Sequence, residues 1–348
     1  EIIGCEEIFY YRNKMEFTFG HDGGMNFALG MHLPNRRYDV LDLKECYLQS
    51  ELSVAIVNAV RDFAVAHNWT PYRVTTNEGF LKLLTIREAK RTGEVMINLS
   101  TSEEEPENIE EELQKFVETL LEIDAKKIVS IYWSKLISQR GQPNRIKEKL
   151  LYGKKTIREK MILANGDELV FDILPQAFFQ VNTLQAEILY SQILKMAKEL
   201  EDDILNGTIF DLFCGTGTIG MFLAKYASNV VGIELNEDAV KIANENAKNN
   251  KIFNIDFYTG NIEKVIPNLK VHPSLIVVDP PRVGLTKKLI EQISEFNCKN
   301  LIYVSCNPST LARDYDLLNR YGFRIEKIQP VDLFPHTFHI ENVCLLKR

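Results

Sequence analysis

From about residue 176 onward, short apolar segments alternate with helical patterns. The apolar segments are TIFDLF (208–213), NVVGIEL (229–235), SLIVVDPP (274–281) and NLIYVSC (300–306). Strands that are apolar on both faces and alternate with helices indicate a parallel sheet covered on both sides. We therefore predict one doubly wound, Rossmann-like α/β domain over residues 176–348.

The residues before position 175 follow a different pattern. Strand-like runs such as KMEFTFG and FLKLLTIREA are interrupted by two helical segments, SELSVAIVNAVRDFAVAHNW (50–69) and ENIEEELQKFVETLLEI (107–123). Apolar residues recur every three or four positions in both helical segments. Strands mixed with a few helices predict an α+β domain over residues 1–175.

Composition excludes several protein classes. With 348 residues and 45% hydrophobic content, the chain can form two cores. It has neither an apolar run of membrane-spanning length nor a signal-peptide pattern, so we expect a cytoplasmic protein with no membrane partner. Its six cysteines include no C-x-x-C pair, which argues against disulfides and a complete zinc site.

The net charge of -7 is not typical of a nucleic-acid-binding protein. Between residues 135 and 160, however, nine basic residues stand against two acidic ones; Tyr152 lies among them, and Tyr132 and Trp133 come just before. This basic segment either docks a polyanion or balances the acidic run Glu103 to Glu112 across a solvated face. The charge pattern leaves both interpretations open.

Ligands bind at the carboxyl ends of strands in such a sheet, so the strand ends indicate the chemistry. The first ends in DLFCGTGTIG, where Gly215 and Gly217 permit a tight turn before a helix, and the second ends in Glu234, an acceptor for ribose hydroxyls. The glycines also satisfy G-x-G-x-x-G, so a dinucleotide and S-adenosylmethionine compete as ligands. Asp211, inside the first strand, favours S-adenosylmethionine.

The later strand ends favour the same ligand. Asp279 is followed by two prolines, which cannot continue the sheet and which form a rigid wall suited to a planar base. The next strand brings Cys306 to the neighbouring end, and His336, His339 and Glu341 precede the final strand. A single cysteine is often only a small hydrophobe, so its neighbours decide its role.

These residues resemble a known family, the S-adenosylmethionine-dependent RNA (uracil-C5)-methyltransferases, which make 5-methyluridine in tRNA or 23S rRNA. The shared motifs, in family order over most of the chain, are FFQVN (178–182), DLFCGTGT, GIE, DPPR, SCNP and FPHTFHIENV. The resemblance implies a class I methyltransferase domain, Cys306 as nucleophile and Glu341 as base. It implies a cofactor site formed by Gln180, Phe213, Thr218, Glu234, Asn261 and Asp279. The expected partner is RNA with an unpaired or flipped uridine, with 23S rRNA expected ahead of tRNA. The domain over residues 1–175 is then expected to contact the RNA, with the basic segment 135–160 holding its backbone.

The reaction explains these residue types. C5 of uracil is too weak a nucleophile to attack a sulfonium methyl group, whereas a thiolate added at C6 makes C5 electron-rich. A base must then remove the C5 proton. Because a free thiol is mostly protonated at neutral pH, we expect the pocket to favour the thiolate, with Arg282 as a candidate cation.

The chain also departs from the family. Many members carry clustered cysteines that bind a [4Fe-4S] cluster and an N-terminal RNA-binding β-barrel. Here Cys46 has no clustered partners, and four thiolates are the normal ligand set. We therefore expect no cluster in this chain, most simply because an upstream segment is missing from it, and we expect that the full-length protein could hold one. Cys46 is then either an orphan ligand, the interpretation we prefer, or merely a residue at the start of a helix. An NAD-dependent oxidoreductase and a catalytically inactive RNA-binding protein remain as alternatives.

Overall fold

The computed structural model describes residues 1–137, 145–162, 164, 166, 168–200 and 205–348. The chain divides into two compact units. One contains Glu1–Ile8, Lys160–Asp172 and Gln176–Arg348, and the other contains Phe9–Glu159 and Ile173–Pro175. We call them the catalytic unit and the N-terminal unit.

The N-terminal unit is built on a mixed sheet of seven strands with two helices. Its strands are β1 (Lys14–His21), β2 (Phe27–Leu33), β3 (Arg36–Asp42), β4 (Leu81–Glu88), β5 (Val95–Thr101), β6 (Ile128–Ile137) and β7 (Arg145–Gly153), in the order β2-β3-β1-β4-β5-β6-β7. Its helices are α1 (Glu51–Ala66) and α2 (Ile109–Asp124). The predicted α+β architecture is confirmed for this unit.

The two helices form where the apolar periodicity placed them. Ser50 caps α1 by accepting the backbone N–H of Ser53, and this bond satisfies one of the free amides of the first turn. The buried stripe of α1, which includes Val57, Val60 and Phe63, joins the apolar face of α2 in the core over the sheet. Periodicity therefore identified the core-facing side of this helix correctly.

Four of the nine basic residues of the basic segment lie on β6 and β7, namely Lys135, Arg145, Lys147 and Lys149. Lys135 pairs with Glu105 and Lys149 with Glu110, while Lys154 Nζ lies 2.5 Å from Glu94 Oε1. Two of these glutamates belong to the acidic run, so the pairs favour the interpretation in which the two charge runs balance each other. Arg140 lies outside the described residues. An RNA-contacting role for residues 1–175 stays a prediction.

Two further strands, β8 (Ile157–Ile162) and β9 (Glu168–Ile173), pair only with each other among the described residues. Side chains of the catalytic unit hold β9 there: the backbone N–H groups of Val170 and Asp172 donate to Asn250 Oδ1 and Asn246 Oδ1, both at 2.8 Å. Residues 160–172 consequently group with the C-terminal part of the chain, upstream of the expected boundary at residue 175.

The catalytic unit contains a second seven-stranded sheet with helices. Its elements are α3 (Thr183–Lys198), β10 (Thr208–Leu212), α4 (Thr218–Ala224), β11 (Asn229–Glu234), α5 (Glu237–Asn249), β12 (Ile255–Thr259), α6 (Ile262–Val265), β13 (Pro273–Val278), α7 (Lys287–Glu295), β14 (Asn300–Ser305), α8 (Pro308–Arg320), β15 (Arg324–Val331) and β16 (Glu341–Lys347). The strand order is β12-β11-β10-β13-β14-β16-β15. The first five strands of this order are parallel, and β16 runs antiparallel to both of its neighbours. The doubly wound, Rossmann-like fold is confirmed.

None of the helices in the described part of the chain combines the length and apolar character needed to cross a bilayer.

Candidate active site

The sheet of the catalytic unit brings the predicted site residues to one edge. The carboxyl ends of the five parallel strands lie at this edge, and the antiparallel β16 begins there with Glu341. Phe213, Asp279 and Cys306 each follow directly after a parallel strand, and Glu234 is the last residue of β11. The edge therefore collects polar and reactive groups above an apolar core.

The loop after β10 owes its shape to backbone conformations with positive φ. Phe213 has a φ of 65°, Gly215 54° and Gly217 78°. An added Cβ at Gly215 would meet no heavy atom within 4 Å, so the backbone here faces open space. Such a loop leaves room for a ligand to approach the main chain closely.

Asp211 anchors the helix that follows this loop. Its Oδ2 accepts the backbone N–H of Gly220 at 2.8 Å, and a Cβ at Gly220 would lie only 2.9 Å from that oxygen. Burial raises the pKa of the Asp211 carboxyl to about 7. The carboxyl therefore holds the start of α4 in place, a structural role that the sequence reasoning missed when it interpreted Asp211 as part of the cofactor pattern.

Glu234 is oriented by the backbone around it. Its carboxylate accepts the N–H of Gly215 at 3.1 Å and the N–H of Asn236 at 2.9 Å. Each carboxylate oxygen has further lone pairs, which suit the two hydroxyls of a ribose. The open backbone at Gly215 and this fixed carboxylate fit the adenosine part of S-adenosylmethionine.

The other predicted cofactor residues occupy different environments. Thr218 is the first residue of α4, and its Oγ1 lies 3.2 Å from Thr216 Oγ1. Asn261 is exposed at the start of α6, after Gly260, whose N–H donates to the Glu234 carbonyl at 2.8 Å. Gln180 is buried in the segment before α3. Their assignment to the cofactor site stays a prediction.

Asp279 stands at the centre of this edge, because β13 lies between β10 and β14. Its backbone N–H donates to the carbonyl of Leu212 at 3.3 Å, and Pro280 and Pro281 end the strand. Burial raises the pKa of its carboxyl to about 7. A group that titrates near neutrality is sensitive to any charge that binds beside it.

Cys306 and Glu341 face each other across two neighbouring strands. Ser305 pairs with Asn342 in the antiparallel ladder between β14 and β16, so one further step places Cys306 opposite Glu341. Directly opposite side chains of an antiparallel pair project to the same face of the sheet. A thiol and a carboxyl separated by 35 positions in the sequence are therefore neighbours.

Glu341 is more deeply buried than Cys306. It is only 2% exposed, and burial, together with the nearby Asp279 carboxyl, raises its pKa to about 8 against the opposing influence of Arg282. A carboxyl that titrates near neutral pH is suited to accept and release a proton.

The pocket does not favour the Cys306 thiolate. Burial raises the pKa of the thiol, Glu341 and Asp279 raise it further, and Arg282 lowers it. Our expectation of a thiolate-stabilising pocket is therefore wrong for the protein alone, although Arg282 acts in the expected direction. Burial is the largest cause, and the Glu341 and Asp279 carboxyl groups together outweigh the single guanidinium of Arg282.

One further residue completes the edge without having been identified from the sequence. Tyr190 on α3 is buried, and its hydroxyl has a pKa well above the ordinary value because of burial and of the neighbouring Asp279, Asp211 and Glu341 carboxyls. The sequence gives no signal for it, because an apolar helix face commonly contains tyrosine. Arg282 Nη2 lies 3.3 Å from His339 Nε2, which links the two loops that flank Cys306 and Glu341.

Cys46 lies in the N-terminal unit, where its sulfur is 3.9 Å from Met15 Sδ and its side chain packs on the core. Throughout the described ranges, no cluster of three or more His, Cys, Asp and Glu side chains could hold a metal ion. The interpretation of Cys46 as an orphan cluster ligand stays a prediction.

Comparison with known proteins identifies the family. The family model described as tRNA (Uracil-5-)-methyltransferase matches residues 106–348. An uncharacterized RNA methyltransferase of Clostridium acetobutylicum is 39% identical over 352 residues, which cover 100% of this chain and 74% of the relative. A second, from Caldanaerobacter subterraneus, is 36% identical over 356 residues, covering 100% of this chain and 75% of the relative.

A solved structure agrees. The Pyrococcus abyssi tRNA (uracil-54, C5)-methyltransferase in complex with S-adenosyl-L-homocysteine superposes with a TM-score of 0.75 at 28% identity, over 99% of this chain and 78% of that protein. These matches decide between the cofactor classes in favour of S-adenosylmethionine. The chain therefore belongs to the tRNA (uracil-5-)-methyltransferase family and is an S-adenosylmethionine-dependent RNA methyltransferase that acts on uracil.

Proposed function

We propose that this enzyme methylates C5 of a uridine through a covalent bond between Cys306 Sγ and C6 of the ring, and that Glu341 removes the C5 proton. The observation that carries the proposal is the position of Cys306 opposite Glu341 at the edge that also presents Glu234 and Asp279. C5 and C6 are adjacent atoms of one ring, so the two groups must be neighbours to act on the same base.

The cofactor residues have separate tasks. Glu234 would hold the ribose and the Gly215 backbone would pass close to the cofactor, while Asp279 would line the space toward Cys306. When bound, S-adenosylmethionine supplies an electrophilic methyl group on its sulfonium. The prolines after Asp279 fix this wall of the pocket, because neither residue can donate to a neighbouring strand.

The proposed reaction passes through a covalent bond between the enzyme and the uridine. The Cys306 thiol releases its proton to water, sulfur bonds to C6, and the electron pair of the C5–C6 double bond moves toward C5 and O4. C5 then takes the methyl group as the bond between the methyl carbon and the sulfonium sulfur breaks, which would leave S-adenosylhomocysteine. Glu341 takes the C5 proton, the double bond re-forms, and the C6–S bond breaks to release a thiolate.

Glu341 acts only as the carboxylate. With a pKa of about 8, roughly one molecule in ten carries the ionised form at pH 7 in the protein alone. We therefore expect release of the methylated product to become faster between pH 7 and 8. The high pKa also makes the carboxylate a strong base once the C5 proton lies beside it.

The target uridine must leave any stack, because a stacked base cannot meet Cys306 and a methyl donor on opposite faces. The P. abyssi neighbour acts on a tRNA uridine, whereas we predict 23S rRNA here. Mapping 5-methyluridine in both RNAs, with and without the gene, tests this choice.

The covalent step is tested with RNA that contains 5-fluorouridine. The fluorine cannot leave as a proton does, so wild-type enzyme with S-adenosylmethionine is expected to remain bonded to the RNA in a denaturing gel. Cys306→Ala should form no adduct. Cys5→Ala, which removes another half-buried thiol of the catalytic unit, should form it normally.

Two results would contradict the proposal. An adduct that persists in Cys306→Ala would contradict the assignment of the nucleophile. Wild-type enzyme that forms no adduct and releases no tritium from RNA labelled at uracil C5 would favour the alternative of an inactive RNA-binding protein.

A further inference from the structure

An exposed aromatic side chain stands beside the proposed active site. Phe338 is 91% exposed, although it lies only three residues before Glu341. Three residues span at most about 11 Å of chain, so the ring is within one or two nucleotides of the reacting base. Exposing a large apolar ring to water is unfavourable, and its position suggests a ligand-binding role.

The loop that carries this ring is held in one conformation. Thr337 Oγ1 donates to the carbonyl of Phe334 at 2.8 Å and accepts the backbone N–H of His339 at 3.2 Å. The Thr337 N–H also donates to the Phe334 carbonyl at 3.2 Å. The loop is thus a hydrogen-bonded turn, which lowers the entropy lost when a ligand binds.

Neighbouring rings position Phe338 further. The His339 ring contacts it at a centroid distance of 4.2 Å, and Phe334 meets His339 edge-on at 6.0 Å. Arg282 reaches the same imidazole at 3.3 Å. The surface therefore combines an exposed aromatic ring with a guanidinium. Proteins that bind single-stranded RNA use aromatic rings to stack its bases and guanidinium groups to contact its phosphates.

We propose that Phe338 is a stacking platform for the base of a nucleotide that flanks the target uridine. This inference rests on the proposed function and names the recognition element of that site. Stacking on Phe338 would hold the RNA strand open next to Cys306, while Arg282 attracts the adjoining phosphate. The sequence analysis did not single out Phe338.

The chain offers a matched control. Phe253 is 81% exposed in the same unit, but it precedes β12 and so lies at the opposite edge of the sheet. Both residues are surface phenylalanines, so neither alanine variant removes core packing. A difference between the two variants therefore reports position and not lost apolar surface.

The test uses an RNA fragment that contains the uridine mapped as methylated by wild-type enzyme. Phe338→Ala is expected to raise the Kd for this fragment about 5- to 100-fold, equivalent to roughly 1 to 3 kcal/mol. The single-turnover rate at saturating RNA should stay within about twofold, as expected for lost binding that is equal in ground and transition states. Phe338→Trp should restore the affinity, and Phe253→Ala should match wild-type enzyme.

A second arm identifies the partner of the ring. Two fragments are compared, each with one abasic nucleotide on one side of the uridine. One of them should bind wild-type enzyme more weakly than the intact fragment does, and Phe338→Ala should bind this abasic fragment no more weakly than wild-type enzyme does. An unchanged Kd for Phe338→Ala on an RNA that wild-type enzyme methylates would overturn the inference alone. Wild-type enzyme that methylates no uridine in either RNA would instead overturn the proposed function, and the inference with it.

Discussion

Glu341→Gln is expected to abolish turnover and, at alkaline pH, to stabilise the catalytic unit. Glutamine has nearly the same shape as glutamate, but it can neither accept the C5 proton nor carry a charge. In the wild-type protein the buried carboxylate is unfavourable, since its pKa rises from 4.5 to about 8. The residue therefore opposes folding under the conditions in which it acts as a base.

The magnitude follows from proton linkage. Between the unfolded pKa near 4.5 and the folded pKa near 8, the folded protein retains a proton that the unfolded chain has released. Below pH 4.5 Glu341 therefore does not lower the free energy of unfolding of the wild-type protein. As the pH rises from 4.5 toward 8, this free energy falls by about 1.4 kcal/mol per pH unit. At pH 8 the ionisation of Glu341 has lowered the free energy of unfolding of the wild-type protein by about 4 kcal/mol. Glutamine avoids this loss, but burying its amide cancels part of the gain, so we expect Glu341→Gln to stabilise the protein by roughly 2 to 4 kcal/mol.

The assay must report on the catalytic unit. Both tryptophans, Trp69 and Trp133, belong to the N-terminal unit, so their fluorescence follows the unfolding of that unit and not of the catalytic unit. Hydrogen exchange of peptides from β14 and β16, corrected for the intrinsic pH dependence, measures local opening free energies. Glu326→Gln is the matched control, because Glu326 is an exposed glutamate on the adjacent β15.

The expected result is protection in Glu341→Gln that exceeds wild type at pH 8 and approaches it at pH 5, with no such trend in the control. Equal opening free energies at both pH values would refute the idea that a buried charge is the cause. Normal turnover by the variant would remove Glu341 from its proposed role as base.

Three other substitutions test separate parts of the site. Arg282→Gln should move the alkaline-rising limb of the single-turnover pH profile to higher pH, because the guanidinium lowers the pKa of Glu341; a shift to lower pH would contradict this electrostatic assignment. Glu234→Ala should weaken S-adenosylmethionine binding by about ten- to a hundredfold, the loss of hydrogen bonds to a charged acceptor, and isothermal titration calorimetry with unaltered circular dichroism would show it. Gly220→Ala should lower stability by about 1 to 3 kcal/mol through overpacking, because the new Cβ would lie 2.9 Å from Asp211 Oδ2; an unchanged melting temperature would show that the helix shifts at little cost.

Local patterns in the sequence predicted most of the secondary structure. The segment SELSVAIVNAVRDFAVAHNW contains α1 (Glu51–Ala66), and ENIEEELQKFVETLLEI contains all but the last residue of α2 (Ile109–Asp124). Helical periodicity and capping by Ser50 and Asn182 act over a few residues, so the sequence displays them directly. Strand order is different, since pairing joins residues far apart in the chain, and no periodicity specifies that β16 inserts between β14 and β15.

The candidate site was predictable in its residue types and not in its electrostatics. Motifs pointed to Cys306 and Glu341, but the raised pKa of each depends on burial and on the neighbouring Asp279 carboxyl, and that of Cys306 depends also on Glu341. The basic segment shows the same limit, because the glutamates that pair with Lys135 and Lys149 lie 30 and 39 positions away. Properties that depend on the three-dimensional neighbourhood need the structure.

The antiparallel insertion of β16 explains how one sheet provides both halves of the proposed chemistry. A sixth parallel strand beside β14 would bring its carboxyl end to this edge, whereas β16 brings its first residue, Glu341. Because β14 ends at Ser305 and the ladder pairs Ser305 with Asn342, the Cys306 thiol and the Glu341 carboxyl lie side by side at the edge of the sheet that carries the predicted cofactor residues. A shift of this register by one residue would turn Glu341 to the other face of the sheet. The register of two strands, more than any single motif, therefore sets the distance between the proposed nucleophile and the proposed base.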